Sequence, residues 1–137
     1  MSYLIDTCAL SELLRPAPAR QVARWFEAGP REALFVSVLT FGEIRRGVEK
    51  LPEGSRRERI AIWLEVELPA WFDGRMLPID AATAEEWGRL NARTQQTIPA
   101  VDGLIAATAL RHRLTVVTRN VADFAKAQVG ILNPWDM

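Results

Sequence analysis

Short apolar runs alternate with helical periods along this chain. Tyr3–Ile5 reads as a strand, and the short helix behind it stops before Pro16. A second helix spans residues 19–28 and is closed by Gly29-Pro30. The run ALFVSV (33–38) is the next strand, and 39–51 is helical until Pro52-Glu53-Gly54 breaks it. The period over 55–72 predicts a long helix with Ile60, Trp63, Leu64 and Val66 at core spacing, bent or ended near Pro69.

The second half repeats the alternation. RMLPI (75–79) is a weak strand, and Pro78 assigns it to an edge or a strand end. An amphipathic helix over 80–96 carries Ala84, Trp87, Leu90 and Asn91 along one side. The next helix, 101–113, is apolar nearly all round, so it belongs between two layers. LTVVT (114–118) is a β-branched strand, 122–127 a short helix and 130–132 a last strand. Strands separated by helices, several of them continuous apolar runs, predict an α/β fold: a parallel sheet of about five strands with helices on both faces. Functional groups of such sheets gather beyond the carboxyl ends of the strands.

Composition narrows the picture. A chain of 137 residues without repeats, low-complexity tracts or a linker is expected to form a single domain over 1–137. It has neither an apolar run of the ~18 residues that span a membrane nor a secretory leader, which predicts a cytoplasmic protein with no membrane partner. One cysteine permits no internal disulfide and no cysteine-based metal site. Seventeen basic residues balance seventeen acids, which argues against a strongly basic nucleic-acid clamp. Fifteen of the seventeen bases are nevertheless arginine, whose forks suit phosphate oxygens, although an ordinary solvated surface is the simpler account of them.

Four acids stand where the pattern puts chemistry. Asp6 ends the first strand, Glu43 lies in the helix after the second, Asp102 opens the apolar helix and Asp123 follows TVVTRN. Each has a competing local role. Asp6, Asp102 and Asp123 fit helix N-caps, worth ~1 kcal/mol each, and Thr40 with Glu43 has capping-box spacing. A parallel sheet would bring at least three of these elements to one edge. Two carboxylates ~4 Å apart cost about 4 kcal/mol at an effective dielectric of ~20, more than a cap returns. A converging set therefore calls for a cation or a raised pKa. All-oxygen donors favour Mg2+ or Mn2+, ions that activate water and stabilise a leaving oxygen in phosphodiester hydrolysis.

The stretches LIDTCALSELL, LTFGEIRRGV, AVDGLIAATALRHRLTVVTRNVADF and ILNPW resemble the successive motifs of PIN-domain proteins, above all the VapC/FitB-type toxins of bacterial toxin–antitoxin pairs. The resemblance spans essentially the whole chain. It implies a three-layer α/β/α sandwich, RNA as the substrate, and cleavage dependent on Mg2+ or Mn2+. It further implies a cognate VapB/FitA-like antitoxin, frequent homodimers, and binding of operator DNA only through the antitoxin. By position, Asp6, Glu43, Asp102 and Asp123 match the family's four acids, with Asp6 and Asp102 expected nearest the metal. Thr7, Thr118 and Asn120 match its supporting polar positions, and local turn bonding is the competing account of those three.

One departure concerns Cys8, where the family usually has asparagine. An amide donates and accepts hydrogen bonds, whereas a thiol does either weakly. The chain could thus be a weakened member that binds RNA or antitoxin without cutting. A helix N-terminus would lower the thiol pKa, but no partnering base is evident, since the sole histidine, His112, sits near the end of a different helix. A small buried residue is the simpler role for Cys8. An aspartyl phosphatase would want a second acid at that position. A receiver domain would use Asp80, which reads better as the cap of the helix after it. Arg119 is the arginine best placed by sequence to meet a phosphate. Leu10, Leu13, Leu14, Arg20, Trp25 and Phe26 form either a contact surface or part of the core.

Overall fold

In the computed structural model, which describes residues 1–137, five strands alternate with eight α-helices. The strands are β1 (Tyr3–Ile5), β2 (Leu34–Ser37), β3 (Met76–Leu77), β4 (Thr115–Val117) and β5 (Ile131–Leu132). The helices are α1 (Thr7–Glu12), α2 (Arg20–Ala28), α3 (Val38–Lys50), α4 (Ser55–Ile62), α5 (Leu68–Trp71), α6 (Ala81–Arg93), α7 (Ala100–His112) and α8 (Val121–Lys126). All pairings are parallel, in the order β3-β2-β1-β4-β5. The weak strand before Pro78 is indeed an edge.

Alternation along the strands divides the core into two layers. Leu4 and Val116 face one side, where they meet Leu90 of α6, Ile105 of α7 and Phe124 of α8. Ile5 and Val117 face the other, against Leu10 of α1, Ile44 and Val48 of α3 and Leu68 of α5. The result is the three-layer α/β/α sandwich. Helix α7 is buried from Ile105 through Ala109, as its all-round apolar character requires. Gly103 allows α6 close to it: a Cβ there would stand 3.1 Å from the Trp87 indole nitrogen.

Helix interiors depart from expectation in two helices. The long helix over 55–72 widens into a π-helical stretch at Trp63–Glu67, where the Leu68 amide reaches back five residues to the Trp63 carbonyl. Pro69 has no N–H and its ring crowds the preceding turn, so the ladder loosens ahead of it. The register shift turns Leu64 and Leu68 inward and leaves Val66 62% exposed, contrary to the helical period. On α6 it is Thr83 and Leu90 that are buried, with Trp87 half-buried, while Ala84 and Asn91 face solvent.

Strand order does the positioning. Because β1 lies between β2 and β4, the residues just past all three strands share one edge of the sheet. This is also where the order reverses, the usual place for a ligand crevice in an open α/β sheet.

Candidate active site

Asp6 follows β1 and does cap α1, its Oδ1 accepting from the Thr7 amide at 2.9 Å. That bond occupies one oxygen only. Its Oδ2 accepts from the hydroxyl of Thr118, the residue after β4, at 2.7 Å. The cap and the long-range site are therefore one side chain in two roles. Burial raises the Asp6 pKa, against the opposing pull of these hydrogen bonds.

The capping-box role of Thr40 and Glu43 does not hold. Ser37 caps α3, accepting from the Leu39 amide, and Thr40 is fully buried inside the helix. Glu43 sits one turn further on and reaches across to α1, where the Thr7 hydroxyl donates to its Oε1 at 2.5 Å. The Thr7 and Thr40 hydroxyls lie 3.1 Å apart.

Asp102 and Asp123 are not N-caps either. Pro99 and Asn120 occupy the cap positions, and each acid is the third residue of its helix. The Asn120 amide bridges them, donating at 3.0 Å to Asp102 Oδ2 and at 3.0 Å to Asp123 Oδ2. Its backbone N–H donates to the Thr118 hydroxyl at 2.9 Å. Thr118 and Asn120 thus tie Asp6, Asp102 and Asp123 into one network, and the turn-bonding account covers only its local part.

Charge crowding shows at Asp102. Burial, followed by the charges of Asp6, Asp123 and Glu43, pushes its pKa up to about 6. Asp123 goes the other way: hydrogen bonds from Asn120 and Lys126 hold it below the usual carboxylate range. Lys126 donates to Asp123 Oδ1 at 3.1 Å and to the Thr97 carbonyl. Neither Thr40 nor Lys126 was legible as a site neighbour. The i,i+3 spacing of Asp123 and Lys126, one of only two lysines, was the available signal.

Cys8 is half-buried beside this network. Its Sγ is 3.5 Å from both Asp6 Oδ2 and the Thr118 hydroxyl, and it accepts from the Arg119 amide at 3.4 Å. Burial, with the nearby Asp6 charge, pushes the thiol pKa up, opposite to the helix-terminus expectation. His112 lies ten residues along α7 from Asp102, ~15 Å by helical rise, and supplies no base. Cys8 is therefore expected to alkylate more slowly at pH 7.5 than free cysteine, measured by iodoacetamide labelling and mass spectrometry. Cys8→Asn should keep the fold, since an amide there could donate to Asp6 and accept from the Arg119 N–H. The Arg119 guanidinium itself stacks over the Trp135 ring, 5.0 Å from its centroid.

A family model described as the PIN domain matches residues 3–129. The chain is 38% identical over 135 residues to Toxin FitB of Neisseria gonorrhoeae, covering 96% of this chain and 97% of that protein. It is 36% identical over 136 residues to VapC ribonuclease Y4jK of Sinorhizobium fredii, covering 97% of each. It also superposes on a solved structure of FitAB bound to an IR36 DNA fragment, with a TM-score of 0.93 and 35% identity over 98% of this chain and 96% of that one. Motifs, sandwich and relatives agree along nearly the whole length: the chain belongs to the PIN-domain family, among its VapC/FitB-type toxins.

Proposed function

We propose that this chain is an endoribonuclease toxin of a VapBC-type pair, dependent on Mg2+ or Mn2+ and hydrolysing RNA phosphodiester bonds with water as nucleophile. The carrying observation is a set of four acids from four segments in which Asp102 is raised to about 6 and three members lack a cationic side chain. The ion pairs of the structure include none of Asp6, Glu43 and Asp102.

The donor set fits a hard divalent cation in charge and atom type, all carboxylate oxygen. It is not a closed cage, for no three His, Cys, Asp or Glu side chains are arranged to hold an ion by themselves. An ion held here would draw the rest of its shell from waters and substrate phosphates, as Mg2+ does. Asp6 and Asp102 would be the nearest ligands, with Glu43 and Asp123 completing the set. When bound, the ion supplies charge neutralisation at the scissile phosphate and an acidified water.

The remaining work falls to the chain's own groups. Thr118 and the Thr7 amide hold both oxygens of Asp6. Asn120 sets the spacing of Asp102 and Asp123. Thr7 engages one oxygen of Glu43 and leaves the other to orient the attacking water.

The partner assignments follow the same relatives. One solved neighbour is FitAB bound to a DNA fragment, which supports a cognate antitoxin here and contact of the pair with DNA; contact with operator DNA through the antitoxin and a homodimeric toxin complete the proposal. An apolar groove of about 260 Å3 lined by Leu10, Leu13, Phe26, Trp63, Leu68 and Trp71 is consistent with a protein partner. No helix is long and apolar enough to cross a membrane. A cytoplasmic location is part of the same proposal.

The test is cleavage of a mixed pool of structured RNAs by the purified chain, free of antitoxin, with Mn2+, Mg2+ or excess chelator. Cutting confined to the metal-containing reactions is expected. RNA binding without metal-dependent cutting, in the parent and in Cys8→Asn alike, would favour a binding protein on this scaffold and overturn the enzyme.

A further inference from the structure

A cluster of carboxylates repels the phosphates it would cut, so an RNA strand needs cations close by. Most arginines of this chain are already engaged. Arg45 and Arg57 pair with Glu49 or Glu65, Arg89 and Arg93 with Glu86, and Arg111 with Asp80. Arg119 is stacked on Trp135. The basic side chains that share a concavity with one of the four acids are few.

One cleft meets that condition. It has a volume of about 240 Å3, lies between α1, α3 and the start of α4, and is lined by Thr7, Ser11, Glu43, Gly47, Arg15 and Arg56 among others. The exposed Arg56 side chain is in none of the ion pairs of the structure. Arg15, 65% exposed, makes one contact, at 3.4 Å to the Oε1 of the buried Glu12, whose Oε2 accepts from the Ala19 amide; the rest of its guanidinium fork is free. Helix α4 begins at Ser55 after Gly54, with no side-chain cap, so its first N–H groups and positive dipole end stand beside Arg56. Gly47 keeps the floor low, with nothing within 4 Å of where a Cβ would stand.

We infer that this cleft is a subsite for the RNA backbone: Arg15 and Arg56 hold a phosphate adjacent to the cleaved bond, so that the strand leaves the acid cluster past Glu43, between α1 and α4. The inference rests on the ribonuclease reading above and adds the strand path to it. A competing path would cross the larger concavity of about 650 Å3 lined by Arg93, Gln96, Lys126 and Gln128. There Lys126 is held by Asp123 and the Thr97 carbonyl, and Arg93 has a contact with Glu86 at 3.6 Å. None of the four acids lines it.

The test uses full-length chain carrying Asp102→Asn, so that RNA binds without being cut, and measures the affinity for a single-stranded RNA against salt concentration. Adding Arg15→Gln with Arg56→Gln should weaken binding about tenfold or more at low salt and flatten the log–log salt slope by ~0.7 per lost phosphate contact. In the Asp102 parent the same pair should raise KM for RNA with little change in kcat; Arg56→Gln alone, at an exposed side chain without an ion pair, should raise KM with the melting temperature unchanged, whereas Arg15→Gln also strips the buried Glu12 of its cation and should lower it. Arg93→Gln is the control and should leave the salt slope unchanged. An unaltered slope and KM in the double variant, in a protein that does cut RNA, overturns this subsite and leaves the nuclease standing. A parent that neither binds nor cuts RNA overturns both. Loss of antitoxin affinity with unchanged RNA affinity would reassign the cleft to a protein contact.

Discussion

Asp102→Asn is expected to lower RNA cleavage about a thousandfold while raising the melting temperature of the chelator-treated protein at pH 8. The first effect follows from removing one carboxylate from the set proposed to stabilise charge at the phosphate, where a single such group is typically worth 10²- to 10³-fold. The second follows from the crowding. The folded chain holds the Asp102 proton up to about pH 6, whereas the unfolded chain releases it near 3.8. Stability from this group is therefore complete below the unfolded value and lost as pH rises through about 6.

An asparagine carries no charge to lose, and its carbonyl still accepts from Asn120. It forgoes the favourable placement of an anion in the first turn of α7, worth ~0.3–1 kcal/mol, which limits the gain. A rise of about 2–4 °C at pH 8, shrinking towards nothing near pH 4, is the expected signature by differential scanning calorimetry. A variant that melts below its parent at pH 8 in chelator would show that Asp102 is not held against its charge.

Thr118→Val should be the most damaging conservative change near the site. The hydroxyl is fully buried, donates to Asp6 at 2.7 Å and accepts from the Asn120 backbone N–H at 2.9 Å. Valine matches its shape but provides neither bond, leaving a buried carboxylate and an N–H short of partners. Together these cost about 2–3 kcal/mol, a fall of roughly 10 °C in melting temperature. With its bonding lost, Asp6 should move further up in pKa, so activity should fall most at low pH. Thr118→Ser keeps the oxygen and gives up one methyl, about 1 kcal/mol, with most activity retained. Equal melting temperatures for the valine variant and the parent in thermal denaturation would show that the Thr118–Asp6 bond contributes nothing.

Cys8 illustrates how little a motif departure says until its surroundings are known. As a sequence feature it suggested a small buried residue, with a weakened site or a reactive thiol as the alternatives. In the fold it lies against Asp6, Thr118 and the Arg119 amide, with its pKa pushed up, which makes it a weak structural link. Whether activity is reduced by the missing amide is answered by comparing Cys8→Asn with the parent in the cleavage assay.

What the sequence by itself determined about this protein was the alternation of strands and helices, the burial of α7 and the parallel sheet, because periodicity is a local signal repeated over many residues. The four acids were also legible, through motifs whose order runs the length of the chain. The roles of those acids were not. Thr40 with Glu43, Asp102 and Asp123 all fitted helix starts, since a cap worth ~1 kcal/mol leaves the same local pattern whether or not it forms. Only the tertiary structure decided between them. The order β3-β2-β1-β4-β5 sets Asp6 beside Thr118, lets Thr7 reach Glu43 across helices, and gives Asn120 both Asp102 and Asp123. The outward turn of Val66 was likewise a matter of how the ladder yields before Pro69, while the helical period of 3.6 residues assumes that it never does. The physical reason is common to both: periodicity reports which face of an element is buried, whereas a site depends on which elements the sheet sets side by side.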